Sequence, residues 1–337
     1  MTEFDLAVKE PTTATPPRAP GSARRSSHVD VIPIPAPGVT AEEGTRFVLR
    51  GGARDVQTGA DGSGVVVEAA ELVVWIGRDG LISHLEVTPD LPGASSLVGI
   101  APMVGFRHAA RALLDGADGA HGADGLLALL LDDIPIAMLL SGYGLLRAGQ
   151  LTKLPVTAGD PAGRMRDLCS GWRSDGTMIR GIELGTGVPV PHLADAPDLG
   201  CSDDPLAVQS LPDLPLGALR RRRRIDALRG DPVIIEATFR DTFRAAEREG
   251  TLHEYVVRAT ADGAGRIATM TAEPRVLPWP ECPAAATNVA GLVGAHLGGL
   301  GRRVPATLTG TSACTHLNDL LRGLSCVPRL VKLAAGD

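Results

Sequence analysis

The sequence predicts an α+β protein with two related units, each an antiparallel sheet with helices packed on it. Runs of β-branched residues flank glycine-containing turns, which is typical of β-hairpins. Each hairpin is followed by a proline and an alanine-rich stretch with helical spacing. Because this order of elements occurs twice, duplication followed by divergence is our interpretation. The alternative is that two α+β segments share the order by chance.

The first unit is predicted over residues 41–150. A helix is expected over Phe106–Leu114, after Pro102, and an apolar stretch then ends at Leu146-Arg147. Its hairpin has strands at residues 65–67 and 71–76, a turn at residues 78–80, and a further strand at residues 81–87.

The second unit is predicted over residues 220–333, and we expect it to carry the functional site. Pro283 is well placed to start a helix over residues 284–297, because proline suits the first helical position. A last helix begins near Cys314, since apolar residues follow it at helical spacing. The hairpin has strands at residues 254–259 and 267–272 around a turn at residues 262–265.

Two further segments contain few residues that could form a core. Residues 1–40 include a stretch rich in Pro, Ser, Ala and Arg, which predicts a disordered arm with polyproline character. Residues 151–219, rich in Gly, Pro and Asp, predict a long irregular connection. Five consecutive arginines follow at residues 220–224. We interpret them as a solvated linker or a partner for acidic surface, with phosphate or nucleic-acid binding as the alternative.

Composition limits the partners and the compartment. The net charge of −6 and the pI near 5.8 argue against a general nucleic-acid binder, whose surface would be basic. No membrane span is predicted, because Asp132, Asp133 and Pro135 interrupt the longest apolar run; the two aspartates are interpreted as a turn that closes a strand. Five scattered cysteines without a CxxC pair favour a reduced, cytoplasmic location. A protein partner or a small-molecule ligand remains open.

Reactive side chains concentrate in the second unit. His253 and Tyr255 are two residues apart on a predicted strand and therefore share a face. Cys282 and Cys314 each lie at a predicted helix start, where the helix dipole favours a thiolate. His316 follows two residues after Cys314. Cysteine and histidine side chains are ligands that zinc and iron accept.

Several motifs in this unit resemble those of a bacterial family, the domain of unknown function 2889. The resemblance covers about residues 220–325, a third of the chain, and implies a family label and a residue pattern without an activity. The motifs are Arg221-Arg222-Arg223-Arg224-Ile225-Asp226, Phe239-Arg240-Asp241, Leu252-His253-Glu254-Tyr255, Leu277-Pro278-Trp279-Pro280-Glu281-Cys282-Pro283 and Cys314-Thr315-His316-Leu317-Asn318-Asp319.

The unit also resembles, by distant analogy, the iron–sulfur scaffold proteins of the NifU and SufE type. In those proteins a sheet hairpin precedes one Cys at a helix start, and a second Cys opens the final helix. Cys282 and Cys314 correspond to these positions, while His253 stands where the scaffold has its first Cys ligand. The chain also lacks the Gly-Cys-Gly pattern around the second ligand.

Three functions from different classes stay open. The first, which we prefer, is binding of a transition metal or cluster, with zinc or iron as the metal, through His253, Cys282, Cys314 and His316. The second is an enzyme of small-molecule metabolism with a cysteine nucleophile. The third is a non-catalytic binding or assembly module. Against all three stands a purely structural interpretation, in which both cysteines are small buried side chains at crowded helix starts.

Overall fold

A computed structural model describes residues 7–8, 10–34, 45–115, 122–147, 163–185, 190–201, 203–246 and 248–336. Strands from along this whole length form one antiparallel sheet. The strands are β1 (Ala7–Val8), β2 (Ser22–Ile34), β3 (Arg46–Thr58), β4 (Gly64–Ile76), β5 (Ile82–Thr88), β6 (Ala194–Asp195), β7 (Leu219–Leu228), β8 (Val233–Arg244), β9 (Glu249–Ala261) and β10 (Ile267–Leu277).

The sheet consists of two four-stranded meanders joined side by side. Its order is β1-β10-β9-β8-β7-β2-β3-β4-β5, with the short β6 paired to β9. The contact between the meanders is the antiparallel pair β2–β7, in which Ser22 lies opposite Leu228 and Val31 opposite Leu219. Each meander is followed by helices, so the α+β class is confirmed. The hairpins β4–β5 and β9–β10 lie where the sequence predicts them.

Helices cover one face of the sheet. They pack on two clusters of buried apolar side chains, one for each meander. The helix after Pro283 is a 3₁₀ helix that begins at Cys282 itself and packs on β10. The α-helices are α1 (Phe106–Leu114), α2 (Leu126–Arg147), α3 (Thr177–Glu183), α4 (Leu300–Thr307), α5 (Thr315–Gly323) and α6 (Val327–Ala335), and the longest 3₁₀ helix is Cys282–Leu292.

Helix α2 corrects a first expectation. It continues through Asp132, Asp133 and Pro135, so the two aspartates do not form a turn after a strand. By length and composition α2 could cross a membrane, but 72% of its apolar window is buried inside the protein. It packs on β2, β3, β4 and β7. The protein therefore has the character of a soluble domain with one buried apolar helix.

The predicted disordered arm contains the central strand β2, which is a second correction. Residues 22–34 are largely buried, because neighbouring strands flank β2 and chain segments cover both faces. The sequence did not predict this strand because its arginines and serines do not alternate with apolar residues. Residues 1–6, 9 and 35–40 of the arm lie outside the described residues, as do residues 41–44 of the predicted first unit and residues 148–162, 186–189 and 202 in and near the connection.

The face of the sheet opposite the helices is covered by irregular chain, which we call the coil layer. It comprises residues 10–19 and the described residues of 195–218. Arginines from the sheet hold it in place: Arg24 donates to the carbonyls of Pro16 and Ala207, and Arg54 donates to those of Leu206 and Val208. The last part of the predicted irregular connection thus forms a layer of the fold, whereas its earlier described part contains helix α3 and the short strand β6, which corrects the prediction of irregular structure there.

The five-arginine run corrects a third expectation, because it lies within the central strand β7 and is not a solvated linker. Alternate arginines point to opposite faces of the sheet. Arg221 and Arg223 reach the helices, and Arg220 reaches the coil layer through the carbonyl of Pro212. Four of the five arginines are buried.

Candidate functional site

The candidate site lies on the helix-covered face of the second meander. Asp241 of β8 lies directly opposite His253 of β9, next to an irregularity in the pairing. Side chains two residues apart on a strand share a face, so Phe239 and Tyr255 lie on the same face as this pair. Helix α5 begins after Cys314, its N-cap residue, and brings His316 over the strands.

Three donor groups converge there. One ligand atom each from Asp241, His253 and His316 all lie within 4.8 Å of one another. The imidazole rings of His253 and His316 stack with centroids 3.9 Å apart and planes 19° apart. His253 Nδ1 is 3.4 Å from Asp241 Oδ2. Strand register and the start of α5 therefore place two imidazoles and one carboxylate together.

Two nitrogens of the stacked pair are buried without a hydrogen-bond partner among the described residues. They are His253 Nδ1 and His316 Nε2. The contact of His253 Nδ1 with Asp241 is too long and poorly aligned to satisfy the nitrogen. An unsatisfied buried polar atom costs about 1–3 kcal/mol. Such atoms therefore mark a place where a ligand would lower the free energy.

The protonation states suit a cation. Burial, reinforced by the neighbouring His253, holds the pKa of His316 well below its ordinary value, so its imidazole is neutral at pH 7. Burial opposes ionisation of Asp241, but the guanidinium of Arg221 outweighs it and holds the pKa of that carboxyl well below its usual range. Arg221 donates from Nε to Asp241 Oδ1 at 2.7 Å and from Nη2 to Oδ2 at 3.2 Å.

The predicted cysteines lie at different distances from this centre. Cys314 Sγ is 4.0 Å from His316 Nδ1, and burial raises the pKa of this thiol to about 12. Cys282 is buried, and burial raises the pKa of its thiol well above the ordinary value. Its carbonyl accepts from the Tyr255 hydroxyl at 3.4 Å. Cys282 is thus in the neighbouring core and outside the group of converging donors.

Of the four metal ligands that the sequence predicts, the structure brings His253 and His316 together and places Cys314 beside them. No ligand role was predicted for Asp241, although it belongs to the Phe239-Arg240-Asp241 motif. The signal that could have identified Asp241 is strand pairing, because only the register of β8 against β9 puts it opposite His253.

A network of charged side chains, most of them buried, contacts the site through the hydrogen bonds of Arg221 to Asp241. Arg221 contacts Asp319 at 3.0 Å and Asp133 at 3.4 Å in addition to Asp241. Arg223 donates to Asp133 and to the carbonyl of Asp319. The network extends outward to a carboxylate on α2 and to arginines on α1 and α5, namely Asp132, Arg107 and Arg322. The network contains four arginines and four aspartates, and burial raises the pKa of one of these carboxyls, Asp133, against the opposing effect of Arg223 and Arg221.

Comparisons with known proteins cover part of the chain. No curated protein and no solved structure matches it. A family model matches the chain from the first residue of β7 to a residue within α6. The match includes the whole second meander and the residues of the candidate site. It does not include Asp132, Asp133 and Arg107 of the charge network. Residues 219–329 match the model of the family described as protein of unknown function (DUF2889), which confirms the resemblance that the motifs indicate.

Proposed function

We propose that the protein binds one divalent transition metal, zinc or iron(II), at His253, His316 and Asp241, with Cys314 as a fourth donor. Two observations carry this proposal: one ring nitrogen of each histidine and a carboxylate oxygen of Asp241 lie within 4.8 Å of one another, and each imidazole has a buried nitrogen without a hydrogen-bond partner among the described residues. Two imidazoles and one carboxylate suit iron(II), and the same donors with a thiolate suit zinc.

The charges around the site determine how the metal would be accommodated. Arg221 already neutralises Asp241, so a dication needs a further negative charge. Cys314 can supply it, because binding displaces the thiol proton even when burial raises the pKa to about 12. The two rings lie in nearly parallel planes with their centroids 3.9 Å apart, and an ion bound to an imidazole lies near the plane of that ring, so one imidazole must turn before both can bind the same ion.

The enclosure of the site favours a structural metal. Asp241 and His253 are buried and His316 is half-buried, and neither histidine lines the cavity at Arg222 or the cavity at Arg107. Structural zinc sites are closed, whereas catalytic sites keep an open position for substrate. The raised pKa values of Cys282 and Cys314 also favour this function over a cysteine nucleophile, which requires a lowered pKa.

Metal analysis of untagged protein purified without oxygen tests the proposal. We expect about one equivalent of zinc or iron in the wild type and in His108→Ala, whose exposed histidine on α1 provides a matched control. His316→Ala and His253→Ala should each retain less than about a tenth of an equivalent. Cobalt(II) titration adds a second readout, because a Cys314 ligand gives a sulfur-to-cobalt absorption band that Cys314→Ser removes.

Two results would contradict the proposal. One is wild-type protein without metal that also gives no cobalt spectrum. The other is a metal content that does not change in His253→Ala and His316→Ala, since the bound metal would then lie elsewhere. Unchanged circular dichroism of the variants shows that a loss of metal does not follow from unfolding.

We also infer that the two meanders derive from one ancestral unit and that only the second kept a site. Equivalent ion pairs support this inference: Arg25–Asp55 in the first meander matches Arg221–Asp241 in the second. The position opposite Asp55 is Glu68, where the second meander has His253. A cytoplasmic location is part of the same proposal, since five free cysteines suit a reducing compartment.

A further inference from the structure

One arginine of the five-arginine run, Arg222, differs from the other four in its contacts with the residues that the structure describes. Among the residues that the structure describes, no carboxylate or carbonyl accepts a hydrogen bond from the guanidinium of Arg222. Its four neighbours in the run each pair with a carboxylate that lies elsewhere in the chain. These pairs are Arg220–Asp30, Arg221–Asp241, Arg223–Asp133 and Arg224–Glu236.

The surroundings of Arg222 contribute positive charge. Arg222 belongs to a cross-strand row that faces the coil layer, with His28 on one side and Arg240 on the other. Arg240 already pairs with Glu254 at 2.8 Å, and His28 already contacts Gln209 at 3.1 Å. Burial, together with the like charge of Arg220, lowers the pKa of Arg222. Glu249 and Asp30 oppose this lowering, but neither accepts a hydrogen bond from Arg222, so among the described residues this half-buried cation lacks a directly paired carboxylate.

A cavity lies at this row, between the sheet and the coil layer. Its volume is about 60 Å³, and it is lined by Arg222, by Arg240 and by Glu254, whose carboxylate is already paired with Arg240. Ser26 and Thr238 also line the cavity. They lie opposite Arg224 on the two neighbouring strands, and Arg224 shares a face of the sheet with Arg222 because the two are two residues apart. The side chains of Ser26 and Thr238 therefore lie on the same face as Arg222. A water needs about 10–15 Å³ by this measure, so the cavity holds about four to six non-hydrogen atoms. Leucine and valine side chains of the coil layer form the opposite wall, namely Leu199, Val208 and Leu211.

We propose that this cavity binds a small oxyanion, of the size of acetate or phosphate, through the guanidinium of Arg222 and the hydroxyls of Ser26 and Thr238. The anion supplies the negative charge that Arg222 lacks. Hydroxyls and a guanidinium donate to oxygen, and a guanidinium can bind a carboxylate or a phosphate with two parallel hydrogen bonds. This site lies on the opposite face of the sheet from the histidine pair, so it stands independently of the proposed metal.

Thermal unfolding of the full-length protein tests the proposal. Acetate or inorganic phosphate is added at constant ionic strength against gluconate, whose anion is too large for the cavity. A ligand at a hundred times its Kd should raise the Tm by about 3 °C or more. We expect this rise in the wild type and in the matched control Arg302→Gln, which changes an exposed arginine of α4. Arg222→Gln should abolish the rise, and Ser26→Ala should reduce it.

The same variants distinguish the outcomes. In gluconate alone, Arg222→Gln should be at least as stable as the wild type, because it removes a cation that lies among like charges. If acetate raises the Tm and phosphate does not, the site binds carboxylates. If phosphate raises the Tm and acetate does not, the site binds phosphate. An equal rise in wild type and Arg222→Gln, or no rise with either anion, overturns the proposal. If Arg222→Gln fails to fold, NMR line broadening of ¹³C-acetate or ³¹P-phosphate provides the test with Ser26→Ala. Broadening by the wild type but not by Ser26→Ala supports the proposal, and equal broadening by both overturns it.

Discussion

Asp319 joins the buried charge network to the surface, and replacing it tests how much this network contributes to stability. The carboxylate is 1% exposed and accepts from Arg221 at 3.0 Å, from Arg107 at 3.2 Å and from Arg322. A hydrogen bond between charged groups contributes about 1.5–3 kcal/mol. The bond from Arg107 contributes least, because that side chain is 39% exposed and screened by solvent.

Asp319→Asn keeps the shape of the side chain but leaves two buried guanidinium groups short of negative charge. Removing one partner of a buried ion pair costs about 3–5 kcal/mol. That is a large part of the roughly 5–15 kcal/mol by which a folded domain is stable. We therefore expect urea unfolding, followed by circular dichroism, to show a loss of about 3–5 kcal/mol.

Asp195→Asn is the matched control for this loss. Asp195 pairs with Arg248, and the two side chains are 83% and 49% exposed. An exposed pair contributes about 0–1 kcal/mol, so this substitution should change the unfolding free energy little. A loss below about 1 kcal/mol for Asp319→Asn, or equal losses for both variants, would refute the claim that the network is a large stabilising element.

Acid, thiol reagents and glycine substitutions provide further tests. Burial opposes ionisation of Asp319, but the surrounding guanidinium groups outweigh it and hold its pKa well below the usual range. Its folded pKa is thus depressed, so its stabilisation is present above the unfolded value of about 4 and is lost as the pH falls further. The urea midpoint should drop between about pH 5 and pH 3, and a midpoint that rises there would contradict this. A thiol reagent should modify Cys201 first, because the other four cysteines are buried; a fast phase that persists in Cys201→Ser would show otherwise. Gly171→Ala should cost about 1–3 kcal/mol, because a Cβ there would lie 2.8 Å from Cys282 Sγ. Gly142→Ala, with open space around it in α2, should instead stabilise by up to about 1 kcal/mol, and equal effects of the two would be inconsistent with the packing described.

Local sequence pattern predicts the outer strands but misses the central ones. The hairpins β4–β5 and β9–β10 contain β-branched runs around glycine turns, which the chain shows directly. The central pair β2–β7 is rich in arginine and serine, and it can be buried because most of its charges pair with side chains on other strands and helices. Arg24 pairs with Asp226, and Arg220 pairs with Asp30. Such pairing depends on the tertiary fold, so periodicity cannot predict it.

The candidate site divides in the same way. His253 and His316 were predicted from their side-chain chemistry and their places on a strand and a helix. Asp241 could not be assigned, because the pairing of β8 with β9 shifts immediately after it and residue spacing does not reveal that shift. Cys282 was predicted as a ligand because it lies at a helix start. In the structure this residue is buried in the apolar core, where its carbonyl contacts Tyr255.

The side-by-side contact of β2 with β7 has a consequence for expressing the family-matched segment alone. Residues 219–329 carry Arg220 and Arg223, whose carboxylates on Asp30 and Asp133 come from outside that segment. Expressed alone, the segment would expose the edge of β7 that pairs with β2, and it would leave the guanidinium groups of Arg220 and Arg223 without their carboxylates. The segment contains one of the two meanders of a continuous sheet. We therefore expect it to aggregate unless the residues that precede it in the chain are expressed together with it. Since the two central strands are about 190 residues apart in the chain, the intact protein should also fold slowly.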